Sequence, residues 1–510
     1  MPEELFGKFK KNILPQWKVC FFSGLIVGLI THLYKLTNWL PNWDSLVFRH
    51  DPQNMLSLGR WFLLVASAPS SFYDLPWLAG LMTLLFYSLG AVYICKMFSV
   101  QKKMTAGIIG AAVVSFPNVT SVLMYNYVAD AYALSFFLAC IAAYLMSREK
   151  PGYITAAILI ALSVGIYQAY LTVTIMLLLC CLIRDVFRKD MTGKALLIKS
   201  VRLLLTGALG LALYYGILVL SLKISGVTLV DYQGLNDAAA LSGIDIWKSL
   251  YVVKETFFSY FFDFGEGIHV FGVVNGLIFF SIVLFYFVEL IKKKPGLMKF
   301  LLLCVYVVCL PMGACALCFI NSDVDYHNLM KMGYFMFYLL FILQYEHVSS
   351  EKANVRVAKS WAILAVMSVL IFNQVVIANV SYHTLNMAYQ KSYGILIRIA
   401  DRIEQTEGAT ECDRILVLGA LPDSHAYSAD LLPNITGTTD GLIIRADDEQ
   451  VGQSVLCSAL NDYCSKDYSF LAGEEKRALI EKYNLADLDN WPEKESICVV
   501  DDVIVIKLGN

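Results

Sequence analysis

Charged residues are scarce in this chain. Only 16% of its 510 residues are charged and its mean hydropathy is +0.60, whereas soluble domains carry about a quarter charged residues. A net charge of −2 gives no electrostatic reason to bind nucleic acid. Paired CxxC motifs are missing, so no zinc site is expected. The first apolar run, Val19 to Leu36, lacks a small-residue cleavage site and is predicted to stay as a signal anchor. These absences favour an integral membrane protein.

Long apolar runs fill most of the first 380 residues. A helix needs about 20 apolar residues to cross a bilayer, because its backbone polar groups find no water there. About eleven spans are predicted, near 18–36, 75–96, 104–122, 128–146, 152–167, 169–183, 201–222, 268–291, 299–320, 328–345 and 360–380. The run 152–183 is divided into two helices because Tyr167-Gln168-Ala169-Tyr170 is its only polar break.

Basic residues alternate along the connections between these runs. The N-terminal segment and every second connection carry Lys or Arg, whereas 117–127, 167–170 and 321–327 contain none. Because Lys and Arg collect on the cytoplasmic side, the alternation predicts a cytoplasmic N-terminus. With an odd number of spans, the C-terminal region then lies outside.

The predicted domains are a membrane domain, 1–383, and an extracytoplasmic α/β domain, 384–510. The membrane domain has two long external loops, 37–74 and 223–267; the second includes an amphipathic stretch, Ile244 to Phe262, that suits the membrane interface. In the second domain a helix precedes a strand at Arg414–Gly419, and two strands pair near the C-terminus. Its four cysteines either pair, as Cys412–Cys498 and Cys457–Cys464 or otherwise, or stay as free thiols.

The first external loop gathers acids, bases and aromatic rings. Sugar transfer from a phosphate needs a carboxylate to accept a hydroxyl proton and cationic groups to hold the departing phosphate. Flat aromatic rings can pack against a sugar. The loop offers Asp44 and Asp51, then Arg49, His50 and Arg60, then Trp39, Trp43 and Trp61. The alternative for the tryptophans is an ordinary aromatic belt at the membrane boundary.

Other polar residues are predicted at the same face of the membrane. Asp130 opens a spanning helix, where it either meets a substrate or interacts with the helix dipole. Tyr167 and Gln168 either hydrogen-bond a sugar or satisfy broken helix backbone. His327 and Lys331 either meet a phosphate or, for the lysine, extend to the interface.

Four segments in this order resemble the bacterial serotype-converting (Gtr-type) glucosyltransferase family of the C-type (GT-C) glycosyltransferase superfamily. They are Trp43-Asp44-Ser45 with Asp51, Gly59-Arg60-Trp61, Tyr127 to Tyr132, and Gly165 to Tyr170. The similarity extends over roughly residues 18–380 and leaves the C-terminal region unmatched.

The resemblance implies a GT-C-like fold and transfer of a hexose, usually glucose, from undecaprenyl phosphate to a cell-surface glycan such as an O-antigen or teichoic acid. The transfer would take place in the plasma membrane. An acid of the first external loop would be the catalytic base: by position Asp44, with Asp51 as second choice. Many members have two adjacent acids, whereas Asp44 and Asp51 are seven residues apart. Arg60 would match the family's loop arginine, and Asp130 and Gln168 its polar positions at helix ends. We expect no cofactor, although Asp44 and Asp51 together can hold a divalent ion, as in some relatives.

Two other classes remain open. A flippase or transporter for lipid-linked sugars would need polar residues along a path through the bilayer and an internal repeat, and the sequence shows neither. A non-enzymatic scaffold for wall synthesis would bind partners through the external domain.

Overall fold

The computed structural model describes residues 13–41, 44–45, 55–70, 73–230, 245–262, 270–320, 326–347, 353–421, 435, 437 and 449–509. Of the described residues, 77% are helical. The helices are α1 (Pro15–Thr37), α2 (Leu63–Ala66), α3 (Pro76–Met97), α4 (Lys103–Ser115), α5 (Pro117–Met124), α6 (Asn126–Ser147), α7 (Tyr153–Ile166), α8 (Leu171–Val186), α9 (Gly193–Ser225), α10 (Ile246–Phe262), α11 (Val270–Lys293), α12 (Leu297–Ala314), α13 (Phe335–His347), α14 (Ala353–Gln405), α15 (Glu449–Cys464) and α16 (Gly473–Tyr483).

Nine helical stretches in the described ranges are long and apolar enough to cross a membrane. Two of them join consecutive elements, α4 with α5 and the 3-10 turn Gln168–Tyr170 with α8. Helix α7 is apolar but shorter. The membrane-protein class is therefore confirmed in outline, whereas the count of about eleven spans and their orientation stay predictions.

Several predicted spans are interrupted. The 104–122 span divides at Phe116, where Pro117 occupies the first position of a new helix, as its fixed φ favours. The 152–183 run does break at Tyr167, whose backbone is extended. The run at 328–345 begins as a 3-10 segment, Asn328–Tyr334, before α13.

The last predicted span belongs to a helix of 53 residues, α14. At 1.5 Å per residue it is about 80 Å long, so its apolar part accounts for only a fraction of its length. The predicted domain boundary, between 383 and 384, falls inside this helix. The division of the chain into two domains stays a prediction.

Close helix contact holds α1 against α4. A Cβ added at Gly110 of α4 would lie 2.1 Å from the backbone oxygen of Cys20 in α1. Only glycine permits that approach, a device common between helices in membranes, where small residues bring backbones together.

The C-terminal region contains a four-stranded sheet of order β2-β1-β4-β3. Its strands are β1 (Arg414–Leu418), β2 (Ser469–Phe470), β3 (Ile497–Val500) and β4 (Val503–Lys507). Strand β1 is parallel to β2 and β4, and β3 is antiparallel to β4. The three predicted strands and the pairing of the last two are confirmed.

The two disulfides suggested from the sequence are wrong, because all four cysteines are free thiols in the structure. Cys457 and Cys464 are seven residues apart on α15, about 10 Å along its axis, beyond the reach of a disulfide. Cys412 precedes β1 and Cys498 lies on β3, with β4 between those strands. The two cysteines are therefore at least two strand spacings, or about 10 Å, apart.

The C-terminal region touches the helical bundle at one end. Tyr463 of α15 stacks on Trp39, just after α1, with ring centres 5.5 Å apart. Ile435 packs in a buried cluster with Leu40, Met124 and Tyr382. This is the end of the bundle at which α1, α7 and α9 finish and α3, α6 and α8 begin.

Candidate active site

A tight turn, Met55–Arg60 (the Arg60 turn), lies between α1 and α3 at this end of the bundle. The Gly59 amide donates to the oxygen of Leu56 at 3.0 Å, and the Arg60 amide donates to that of Met55 at 2.8 Å. Gly59 has a φ of +74°, a left-handed conformation that glycine adopts without a steric penalty. The turn presents the Arg60 side chain at its end.

The Arg60 guanidinium contacts two tyrosines from different helices. Its Nη1 donates to the hydroxyl of Tyr132 at 3.2 Å, and its Cζ lies 5.0 Å from the centre of the Tyr167 ring. The two rings are stacked, with centres 4.5 Å apart and an angle of 8°. Tyr132 lies in the second turn of α6, and the break after α7 brings Tyr167 to meet it. Three sequence-predicted residues are thus brought together.

Asp44 is half-buried in a helical turn after α1. Burial raises the pKa of its carboxyl to about 7, against the opposing effect of the nearby positive charge of Arg60. Asp44 and Arg60 therefore lie within electrostatic range of each other. A carboxylate with a pKa near 7 suits a general base at neutral pH, because it is both available and basic enough to take a proton.

Gln168 and Trp61 support the turn. The Gln168 amide donates to the backbone oxygen of Leu58 at 2.9 Å and approaches the hydroxyl of Tyr214 at 3.4 Å. Trp61 packs so tightly on α7 that a Cβ at Gly165 would lie 2.7 Å from its ring. Gln168 therefore bonds to backbone of the Arg60 turn and not to the broken helix backbone considered from the sequence, and its contact with a sugar stays a prediction.

Asp130 is buried and faces Ser70. It accepts from the Ser70 hydroxyl at 3.2 Å and from the Ala131 amide at 3.0 Å. One turn earlier on α6, Asn126 donates to Asp74 at 2.7 Å. These contacts fasten the chain before α3 to the start of α6.

His327 and Lys331 lie at a 3-10 segment that packs against the turn Gln168–Tyr170. The Asn118 amide fixes this segment by donating to the oxygens of Asn328 and Leu329, at 3.0 and 2.7 Å. Lys331 is close enough to the Cys315 thiol to act on it electrostatically. Both residues thus belong to a segment that lies next to the turn from which Gln168 reaches the Arg60 turn.

The remaining predicted residues, Trp43, Arg49, His50 and Asp51, lie outside the described residues. Asp51 as an alternative base, and Asp44 with Asp51 as a divalent-ion site, therefore stay predictions. In the described part of the chain, no three His, Cys, Asp or Glu side chains are grouped to hold a metal ion.

Sequence reasoning missed Tyr214, Asp74 and Asn118. Tyr214 donates to the backbone oxygen of Gly59 at 3.0 Å, although it belongs to α9. The only signal for it was a pair of adjacent tyrosines, Tyr214 and Tyr215, in an otherwise apolar run. Nothing in local sequence connects that pair to the first loop, 155 residues earlier.

Comparison with known proteins supplies the family. No curated protein and no solved structure matches this chain. The family model described as glucosyl transferase GtrII matches residues 33–344, a stretch that contains Asp44, the Arg60 turn, both stacked tyrosines and Lys331. That match covers more than half of the chain, and the protein belongs to the GtrII glucosyltransferase family.

Proposed function

We propose that the protein transfers a hexose, with glucose the first candidate, from undecaprenyl phosphate to a cell-surface glycan at the outer face of the plasma membrane. The observation that carries the proposal is the electrostatic interaction between Asp44 and Arg60. A half-buried carboxyl with a raised pKa lies within electrostatic range of a guanidinium that two tyrosines hold, at the end of a bundle of apolar helices. Family membership supports the transfer of glucose.

In the proposed reaction, the Asp44 carboxylate accepts the proton of an acceptor hydroxyl. The hydroxyl oxygen bonds to the anomeric carbon of the sugar as the bond from that carbon to the phosphate oxygen breaks. The electron pair of that bond leaves with the phosphate, which gains a negative charge. A single displacement of this kind inverts the anomeric configuration.

Arg60 suits the departing phosphate. Its guanidinium remains charged at every relevant pH and offers paired N–H donors to phosphate oxygens. The Tyr132 hydroxyl and the Tyr167 ring fix its plane before substrate arrives. Donors held ready where charge develops lower the barrier most, because they need not reorient during the reaction.

The alternation of basic connections supports the outer face as the location of the site. The segments 37–74 and 223–267 and the C-terminal region would then meet the glycan acceptor, while a lipid-linked donor would approach through the surrounding membrane. His327 and Lys331, next to the turn Gln168–Tyr170, are proposed to contribute to donor binding.

The test uses purified protein in liposomes with radiolabelled undecaprenyl-phosphate-glucose and a glycan acceptor. Wild-type protein should release polyprenyl phosphate and label the glycan, and Asp44→Asn should lower that rate by about a hundredfold or more, as expected for a general base. Asp190→Asn is the matched control, since Asp190 is an exposed acid at the far end of the bundle.

Three outcomes would contradict the proposal. Full activity of Asp44→Asn would remove Asp44 as the base, and loss of activity in Asp51→Asn alone would transfer that role to Asp51. Movement of intact donor across the bilayer without release of polyprenyl phosphate would instead identify a flippase.

A further inference from the structure

Three consecutive backbone oxygens of the Arg60 turn accept hydrogen bonds from three distant parts of the chain. Ser57 accepts from the amide of Val230 at 3.1 Å. Leu58 accepts from the side chain of Gln168 at 2.9 Å. Gly59 accepts from the hydroxyl of Tyr214 at 3.0 Å. Because every bond is made to backbone, together they fix the path of the chain just before Arg60.

Tyr214 links two of these bonds. Its hydroxyl has one proton, which it donates to Gly59, and it can still accept from the Gln168 amide 3.4 Å away. The fit around Gly59 is tight, since a Cβ there would lie 2.7 Å from the Tyr214 hydroxyl and 3.0 Å from the Gln168 nitrogen. Helix α9 thereby donates a hydrogen bond to the turn through the Tyr214 hydroxyl, and its Leu218 side chain packs beside the same glycine.

The position of the turn determines the position of the arginine. Arg60 directly follows Gly59, and its guanidinium must reach the Tyr132 hydroxyl and the Tyr167 ring together. A shift of the turn would move the guanidinium away from one or both of these tyrosines. A small displacement of a group that stabilises the transition state lowers the reaction rate steeply.

We propose that Tyr214 is a positioning residue of the transferase, which holds Arg60 in place through the backbone of Gly59. The expected effect on transfer kinetics rests on the proposed function. The Val230 bond extends it to the segment after α9, so the chain that enters the second long loop is docked on the same turn.

The kinetic test compares Tyr214→Phe with Tyr215→Phe. Both changes remove one hydroxyl from the same helix, but Tyr215 is 52% exposed. Tyr214→Phe should lower kcat by about tenfold, the equivalent of one well-placed hydrogen bond, with KM for the donor changed by less than about twofold. The effect falls on kcat because the phosphate gains charge in the transition state, where a correctly placed arginine matters more than in the ground state. Tyr215→Phe should match the wild type.

A double-mutant cycle separates positioning from an independent role. The second background is Arg60→Lys, and its residual kcat is the reference. There, Tyr214→Phe should lower kcat by a much smaller factor than in the wild type, because the guanidinium contacts that Tyr214 maintains are already lost. An equal loss in both backgrounds, or no loss in the wild type, would overturn the proposal.

Hydrogen exchange provides a readout that does not depend on activity. The Gly59 and Arg60 amides are bonded within the turn and should exchange about tenfold faster in Tyr214→Phe, but not in Tyr215→Phe. Unchanged exchange would overturn the positioning role. If the wild type consumes no polyprenyl-linked hexose, the proposed function fails, and the exchange measurement still decides whether Tyr214 holds the turn.

Discussion

The pH dependence of sugar transfer should report the ionisation of Asp44. Its pKa is raised to about 7 by burial, and only the ionised carboxylate can accept the acceptor's proton. About one molecule in eleven would be ionised at pH 6 and about ten in eleven at pH 8, so kcat/KM should rise about tenfold between these values. An acid with the ordinary value near 3.9 would be almost fully ionised at both, and the rate would hardly change.

The assay is initial-rate transfer from labelled undecaprenyl-phosphate-glucose at low donor concentration, from pH 5 to pH 9. The phosphodiester of the donor is ionised throughout this range, so the substrate does not contribute to the profile. Asp190→Asn should retain the wild-type curve. A flat profile in an otherwise active enzyme would refute both the raised pKa and the role of Asp44 as base.

The same pKa has a consequence for stability. Between about pH 4, where the carboxyl of the unfolded chain ionises, and about pH 7, the folded protein keeps a proton that the unfolded chain has released. The contribution of Asp44 to the free energy of unfolding therefore falls as pH rises through this window. A shift of three pKa units lowers the free energy of unfolding by about 4 kcal/mol above pH 7. This value is an upper bound, because solvent screens a half-buried carboxylate.

Asp44→Asn should therefore melt at a higher temperature than the wild type at pH 8, with a difference that shrinks as the pH approaches 4. Thermal unfolding in detergent at both pH values measures this. A variant less stable than the wild type at pH 8 would contradict the desolvation argument, whatever its activity.

Two further predictions concern the arginine and the helix packing. Arg60→Lys should lower kcat by about tenfold to a hundredfold, because lysine lacks the planar fork and cannot stack in the same way on Tyr167; Arg148→Lys, which also changes an arginine over a tyrosine ring, should leave transfer rates unchanged. Equal rates for both variants would remove Arg60 from the site. Gly110→Ala should lower the free energy of unfolding by about 1 to 3 kcal/mol, since the new Cβ would collide with a rigid carbonyl of α1. Melting in detergent measures this against Gly216→Ala, where the new Cβ would meet no described atom outside its own stretch of helix backbone within 4 Å. Equal melting temperatures would show that α1 and α4 separate freely.

The sequence by itself determined the class of protein and pointed to several candidate site residues. Few charges and long apolar runs dictate helices in a membrane, because a bilayer leaves backbone polar groups no other partner. Arg60, Tyr132 and Tyr167 stood out as polar or aromatic residues at the ends of apolar runs, and the structure brings these three together. The resemblance to Gtr-type transferases, drawn from short segments in order, is confirmed by the family match.

Only the tertiary structure decided how these residues are held. Helices in a bilayer can be apolar on all sides, so sequence periodicity does not reveal which face of α9 turns inward, and Tyr214 could not be told from Tyr215. The link from Tyr214 to Gly59 joins residues 155 positions apart, a pairing set by packing and not by any local preference. The cysteines are a second case in which the sequence alone was not enough. The disulfides suggested from the sequence do not form, because α15 and the order of the strands keep the paired thiols apart. Local composition decides which environment a segment enters, and the packing of distant segments decides which side chains meet there.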